Sequence, residues 1–211
     1  MDIHGAQFRP LVLGAAAAML LAGCSASQDQ DQGGGAGASP AVSSVEASSE
    51  AFVSDPLLES LGVDGLSGRQ IVDHLERVAG AERRSEIIAS VRTDELVVSD
   101  GTRDVVVPLP EDVFYVSVAP YVSATHDCFY HSLTTCQGEL SNEPVDVTIT
   151  SSTGEVLHDG QVTTFDNGFV GFWLPRGAEG TIELDHEGRT GTHTFSTDAD
   201  APTCVTTAQL T

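Results

Sequence analysis

Apolar and polar residues alternate without interruption through the stretch Val145-Asp146-Val147-Thr148-Ile149-Thr150. A period of two places alternate side chains on opposite faces of a strand, so the stretch predicts a β-strand with one buried face. Turn residues at 152–154 separate it from the apolar Val156, which predicts that the chain reverses into a second strand. An antiparallel sheet is therefore expected here.

Similar patterns occur on both sides of this stretch. Residues 96–98 and 105–107 are β-branched or apolar and flank a glycine-containing turn, which predicts a hairpin. Further strand candidates, separated by turn residues, are 114–123, 169–174, 181–184 and 190–195. Short strands at such intervals are typical of an antiparallel sandwich. We therefore expect residues 95–211 to form a mainly β, sandwich-like domain.

A helical period precedes these strands. The apolar residues with this spacing are Leu66, Ile71, Leu75 and Val78 and, after Gly80, Ile87, Ile88 and Val91. This pattern predicts two short helices within a helical portion spanning residues 53–94. The expected fold class is α+β, with a short N-terminal helical portion followed by the antiparallel β domain.

The N-terminal segment resembles a bacterial lipoprotein signal. Arg9 precedes an apolar run at 11–21, and small residues lead to Cys24. Because the run is short for a membrane span, we expect residues 1–23 to be a signal peptide that is removed. Cys24 then carries a lipid, and the Ser-, Gly- and Gln-rich residues 24–52 form a flexible linker at the extracytoplasmic face of the cell membrane. An ordinary signal peptide with a chance cysteine is the alternative.

Composition limits the binding partners. The formal net charge is −22, and all nine basic residues are arginines. Such a negative field excludes nucleic acid and anionic lipid surfaces as expected partners. Both methionines, Met1 and Met19, lie in the predicted signal peptide, so the mature chain offers metals thiols, imidazoles and carboxylates but no thioether.

Three cysteines remain beyond Cys24, and they point to metal binding. Cys128 and Cys136 lie in one short run with His126 and His131, while Cys204 lies near the C-terminus. Thiolate and imidazole ligands suit copper(I) or zinc. Outside the cytosol an odd number of cysteines leaves at least one thiol unpaired. The gap between Cys128 and Cys136 is longer than in most zinc knuckles, so spacing favours copper(I) slightly and leaves zinc as the alternative.

Two other classes of function stay open. A thiol–disulfide redox module would cycle Cys128 and Cys136, although the Cys-x-x-Cys spacing of thioredoxin-like enzymes is absent. A structural surface lipoprotein would use two cysteines as a disulfide staple. The sequence has no Gly-x-Ser-x-Gly elbow and no His-Glu-x-x-His motif, so we do not expect an enzyme. Asp127 and Glu139 are candidates to orient a metal-binding imidazole.

The run 125–139, together with Cys204, resembles the CueP family of periplasmic copper-binding proteins, and a weaker likeness extends from about residue 55 to the end. The resemblance implies copper(I) bound by Cys128, Cys136 and Cys204, with His126 and His131 beside them, in copper resistance and homeostasis. It also implies a homodimer formed through the helical portion, transfer of copper to an extracytoplasmic acceptor protein, and a thiol oxidoreductase that keeps the cysteines reduced.

Overall fold

A computed structural model describes residues 52–211. The predicted signal peptide, Cys24 and nearly all of the predicted linker lie outside these residues. Within residues 52–211, no helix has the length and apolar character needed to cross a membrane.

Two short helices open the described chain, and both have side-chain caps. The first, α1 (Pro56–Ser60), begins after Asp55, whose carboxylate accepts a hydrogen bond from the Leu57 N–H. The second, α2 (Gly68–Leu75), begins with a capping box between Ser67 and Gln70, an arrangement that satisfies N–H groups lacking a partner at a helix start. Its buried apolar residues are Ile71, Val72 and Leu75. The helix predicted around residues 66–78 is confirmed, and a 3-10 turn follows at Gly80–Glu82.

The second predicted helix, around Ile87 to Val91, is wrong. Residues Ile88–Val91 form strand β1, which pairs antiparallel with β2 (Glu95–Ser99). Burial follows the strand period, because Ala89 and Val91 are buried whereas Ile88 is half exposed. A four-residue run shows too little of either period, and pairing with strands on both sides decided its structure.

The first sheet has the order β3-β2-β1-β5, where β3 is Asp104–Pro108 and β5 is His131–Ser132. The hairpin predicted around residues 99–102 is confirmed by the pairing of β2 with β3. This sheet shares one core with the two helices, and its fully buried members include Leu58, Ile71, Leu96, Val98 and Leu133. The helices therefore pack on the sheet that carries His131.

Two more sheets complete the fold. Four antiparallel strands have the order β10-β9-β6-β7, with β6 at Pro144–Ser151, β7 at Val156–Thr163, β9 at Glu179–His186 and β10 at Arg189–Ser196. The strand predicted from the alternation at 145–150 is confirmed as β6. Three strands have the order β11-β4-β8, with β4 at Val113–Val118, β8 at Val170–Pro175 and β11 at Cys204–Val205.

The three-stranded sheet contributes to two cores. From β4, Phe114 and Val116 pack against the sheet with the order β10-β9-β6-β7. Tyr115 instead belongs to the core that contains the helices, where its ring lies 4.9 Å from that of Trp173. The expected mainly β, largely antiparallel architecture is confirmed, but the strands form three sheets where a sandwich has two, and β11 pairs parallel to β4.

Candidate metal centre

The first ligand segment follows β4 but does not continue it. The strand ends at Val118, so His126 and Cys128 do not share a strand face, as an extension of the predicted strand through them would require. The segment is folded back by Glu139, whose Oε2 accepts hydrogen bonds from the N–H groups of Val122, Ser123 and Ala124 at 2.7, 2.8 and 3.1 Å. Irregular backbone therefore carries His126 and Cys128.

Strand β5 and Thr203 position His131. His131 pairs with Val91 of β1, and its backbone N–H donates to Thr203 Oγ1 at 3.0 Å. The same hydroxyl donates to the Val91 carbonyl at 2.6 Å. Because Thr203 is completely buried, one side chain joins β1, β5 and the segment that leads into β11.

Cys204 is brought back to the motif by the backbone of Phe129. The Phe129 carbonyl accepts hydrogen bonds from the N–H groups of Thr203 and Cys204 at 3.0 and 3.2 Å. Cys204 also pairs with Ser117 at the start of β11. These contacts place a cysteine from the end of the chain beside His131, with 3.7 Å between Cys204 Sγ and His131 Nδ1.

All five predicted ligands come together. The Sγ atoms of Cys128 and Cys136 are 3.5 Å apart, and all three described cysteines are free thiols. These residues form two sets of three. One set is His126, Cys128 and Cys136, and the other is His131, Cys136 and Cys204; within each set, the three ligand atoms lie within 4.8 Å of one another. Each set combines two sulfurs with one imidazole nitrogen, and Cys136 belongs to both.

The site is open on one side. His131 and Cys204 are 0% and 3% exposed, and Cys136 is 9% exposed. Cys128 is partly exposed, and the next two residues, Phe129 and Tyr130, have exposed rings that contact each other edge to face. Access from solvent is therefore through the Cys128 side.

The carboxylate that orients His131 is Glu76, which sequence reasoning missed. Its Oε2 lies 2.8 Å from His131 Nε2, and its Oε1 accepts hydrogen bonds from Asn167 Nδ2 at 3.1 Å and Ser117 Oγ at 3.3 Å. The side chain is 1% exposed. A signal was available, because Glu76 is one helical turn beyond the buried Val72 and so lies on the core face of α2.

The two carboxylates predicted to orient an imidazole, those of Asp127 and Glu139, do not lie beside Glu76 and His131 in the hydrogen-bond network. Glu139 binds backbone N–H groups, as described above, and Asp127 is exposed and makes no hydrogen bond to another described residue. Neither forms a hydrogen bond to an imidazole within residues 52–211. The carboxylate that does hydrogen-bond to an imidazole comes from the end of helix α2 behind the site, and an orienting role for Asp127 and Glu139 stays a prediction.

Glu76 and His131 form a buried ion pair. Burial by itself would lower the pKa of His131, but the charge of Glu76 and hydrogen bonds to Cys136 and Glu76 raise it to about 9. Burial by itself would raise the pKa of Glu76, but the charge of His131 and hydrogen bonds from His131 and Asn167 hold it below its ordinary value. Each partner favours the charged form of the other.

The three thiols differ in acidity. Hydrogen bonds from the thiols of Cys128 and Cys204, together with His131, lower the pKa of Cys136, and the Ser132 N–H donates to its sulfur at 3.3 Å. The hydrogen bond to Cys136 raises the pKa of Cys128 to about 12. The neighbouring thiols Cys128 and Cys136, together with burial, raise the pKa of Cys204. Of the three thiols, Cys136 is therefore the one whose surroundings favour the thiolate form.

Two glycines hold the end of the ligand loop against a neighbouring turn. The Gly138 N–H donates to the Asn167 carbonyl at 2.6 Å. A Cβ on Gly138 would lie 2.7 Å from the Gly168 carbonyl oxygen, and one on Gly168, whose φ is +76°, would lie 2.6 Å from the Gly138 oxygen. The two backbones approach this closely only because both residues lack side chains.

The chain is similar to known proteins in sequence and in fold. The family model described as periplasmic copper-binding protein CueP matches residues 70–209. The chain is also similar to a solved structure described as the crystal structure of S.CueP, with 40% identity and a TM-score of 0.70 over 76% of this chain and 100% of that one. No match was found among curated proteins.

Proposed function

Because the chain belongs to the CueP family of periplasmic copper-binding proteins, we propose that it binds copper(I) at Cys128, Cys136 and Cys204, with His126 and His131 beside the sulfurs. One observation carries this proposal. The five donors form two overlapping sets, and within each set the three ligand atoms lie within 4.8 Å of one another. Copper(I) prefers thiolate and imidazole ligands, and it accepts fewer ligands than structural zinc.

The proposed role is to buffer copper or to transfer it, and not to catalyse a reaction. The partly exposed Cys128 supports transfer, because an acceptor ligand has to reach the ion while the protein still holds it. The buried Cys204 and His131 support buffering, because they keep solvent from competing for the ion. An extracytoplasmic acceptor protein, a thiol oxidoreductase and a homodimer remain part of the proposal.

The location is proposed as the extracytoplasmic face of the cell membrane, with a lipid on Cys24. Lipidation requires that thiol, so Cys24→Ser is expected to release the protein into the medium or to leave its signal peptide uncleaved, while the folded domain still binds metal. Fractionation of cells that express each chain measures this. Processed Cys24→Ser protein that stays in the membrane fraction would contradict the anchor.

A competition titration tests copper binding. The parent chain is titrated anaerobically with a coloured copper(I) chelator beside a variant in which Cys128, Cys136 and Cys204 are all serine. His74→Ala is the matched control, since His74 is exposed on α2. We expect one copper(I) per parent chain, loss of binding in the triple variant, and no change in the control. Stoichiometric zinc that copper(I) cannot displace would contradict the proposal.

The short distance between Cys128 and Cys136 favours a second candidate, a thiol–disulfide redox module. Their sulfurs are 3.5 Å apart, so a small movement would allow an S–S bond, with two electrons and two protons passing to a disulfide oxidant such as oxidised glutathione. Peptide mapping after mild oxidation tests this. The redox candidate requires a Cys128–Cys136 disulfide bond after oxidation. It also requires that the reduced protein reduces a disulfide in another molecule, which copper binding alone does not require.

A further inference from the structure

We propose that the two ligand sets are successive positions of one copper(I) ion. The outer position consists of His126, Cys128 and Cys136, and the inner position consists of His131, Cys136 and Cys204. This inference rests on the proposed copper(I) binding and adds a path for the ion within the site.

The shared sulfur makes such a path short. Cys136 belongs to both sets, and its Sγ is 3.5 Å from that of Cys128. An ion that moves inward keeps its bond to Cys136 while bonds to Cys128 and His126 break and bonds to Cys204 and His131 form. Copper stays copper(I). Cys204 and the protonated His131 Nδ1 each release one proton as they bind; Cys128 takes up one of these protons, and the other passes to water. The ion therefore never needs to leave the protein to change position.

The inner position is organised before the ion arrives. Glu76 holds His131 Nε2 at 2.8 Å, and Thr203 holds the His131 backbone at 3.0 Å. These contacts leave Nδ1 facing Cys204, which the Phe129 carbonyl holds through its backbone. Ligands fixed by hydrogen bonds lose little conformational freedom when they bind a metal. The inner position is therefore expected to bind more tightly.

The outer position differs from the inner one in its backbone, its exposure and the hydrogen bonding of its histidine. His126 and Cys128 lie between β4 and β5 on irregular backbone, and Cys128 is partly exposed. His126 Nε2 is buried but has no hydrogen-bond partner among the described residues, although a buried polar atom normally has one. A ligand nitrogen without a partner can bind an ion at no cost in lost hydrogen bonds. The outer position is therefore suited to capture and release.

One side chain separates the two imidazoles. The buried ring of Phe169 lies 4.6 Å from the His131 ring and 6.1 Å from the His126 ring, measured between centroids. It packs in one apolar cluster with Cys136 and Cys204. This cluster shields the inner position from water, so an external chelator or acceptor meets the outer ligands first.

The affinity and the release rate of copper(I) test this path when both are measured for single variants. In Cys128→Ser we expect affinity close to that of the parent but removal by excess chelator slowed by at least about tenfold. In Cys204→Ser we expect affinity reduced by at least about tenfold, which corresponds to about 1.4 kcal/mol, with faster removal. Cys136→Ser should lose the most affinity, because both positions use its sulfur.

The histidines provide matched variants that leave every thiol in place. His126→Ala should behave like Cys128→Ser, and His131→Ala like Cys204→Ser. X-ray absorption on the copper-loaded parent should show two sulfur neighbours and one nitrogen, with the same neighbours in Cys128→Ser. Circular dichroism on each variant checks that the fold is retained, and Cys204→Ala serves as a second change at that buried position if the serine does not fold.

Three outcomes would overturn the path. The first is an equal loss of affinity in all three cysteine variants with equal removal rates, and the second is three sulfur neighbours in the parent. Either result means a single three-sulfur site, and the proposed copper(I) binding then stands without the path. The third is the absence of copper(I) binding by the parent, which removes the proposed function itself.

Discussion

The Nε2 atom of His131 lies 2.8 Å from the Oε2 atom of Glu76, and both side chains are almost completely buried. The residues are 55 positions apart in the chain, so helix α2 and strand β5 meet in a carboxylate–imidazole pair. The other ring nitrogen, Nδ1, is 3.7 Å from Cys204 Sγ. Metal-binding histidines are commonly fixed by such a carboxylate. Glu76 therefore sets which nitrogen faces the cysteines.

Replacing this carboxylate should weaken copper binding without touching a ligand. Glu76→Gln keeps the size of the side chain but removes its charge, and we expect copper(I) affinity to fall about 10- to 100-fold. A chelator competition measures the change. Glu183→Gln on the exposed side of β9 is the matched control and should bind like the parent. Equal affinity in Glu76→Gln and the parent would show that Glu76 does not act on the site.

The ion pair also predicts how stability changes with pH. Folding raises the pKa of His131 from 6.5 to about 9. The stabilisation is therefore fully present below pH 6.5 and is lost as the pH rises through 9, and its size is on the order of 3 kcal/mol. The lowered pKa of Cys136 has the opposite effect over the same range, so the measurement needs a background without that thiol.

Urea unfolding of two metal-free chains isolates the effect of His131. The chains are Cys136→Ser and the double variant Cys136→Ser/His131→Gln, each followed from about pH 6 to about pH 10. Cys136 also helps to raise the pKa of His131, so in this background Glu76 alone raises it and the stabilisation is lost at a lower pH than in the parent. The difference in their free energies of unfolding should shrink as the pH rises. A difference that stays constant over this range would mean that His131 is not held as a cation in the folded protein.

Thr203 is expected to contribute stability through two hydrogen bonds. Thr203→Val keeps the shape of the side chain but removes the acceptor for the His131 N–H and the donor to the Val91 carbonyl. A buried group left without its partner costs about 1–3 kcal/mol, and the change leaves two such groups, so the free energy of unfolding should fall by at least about that amount. Thr207→Val, at an exposed position, is the control. Equal urea midpoints for Thr203→Val and the parent would contradict this role.

The features that were predictable from sequence are those with a local signal. The alternation at 145–150 predicts β6 because a half-buried strand repeats every two residues. Four of the five proposed ligand residues could be predicted because soft donor side chains are rare and are concentrated at 126–136, and the fifth, Cys204, because it is the remaining cysteine of the mature chain. The division of these donors into two sets of three was not predictable, since it depends on how Cys204 approaches His131 from 73 residues away through contacts of Thr203 and Phe129.

Features set by tertiary structure were missed. The apolar residues around β1 fit a helical period as well as a strand, and pairing with β2 and β5 decided between the two. In the sequence, Glu76 resembles an exposed polar residue at a helix end. Its burial is explained only by its partners Asn167, Ser117 and His131. A buried charge requires such partners, and sequence separation hides them.

The glycine contact beside the ligand loop predicts a further effect. Gly138→Ala would place a Cβ 2.7 Å from the Gly168 carbonyl oxygen, so one of the two backbones has to move. Overpacking of this kind costs about 1–3 kcal/mol, which thermal unfolding of the metal-free protein measures. Gly80→Ala is the control, because its Cβ would meet only a carboxylate oxygen of Asp166, at 3.1 Å. Equal losses in both variants would contradict the special role of Gly138.

The contact between Gly138 and Gly168 also bears on the genetics of this protein. A screen for alleles that lose the proposed copper binding would recover changes at these two glycines beside changes at the cysteines, although neither glycine offers a donor atom. Such alleles would lower the amount of folded protein and would be rescued at lower growth temperature, whereas ligand alleles would not be. Temperature sensitivity would thus sort the two kinds of allele before any protein is purified.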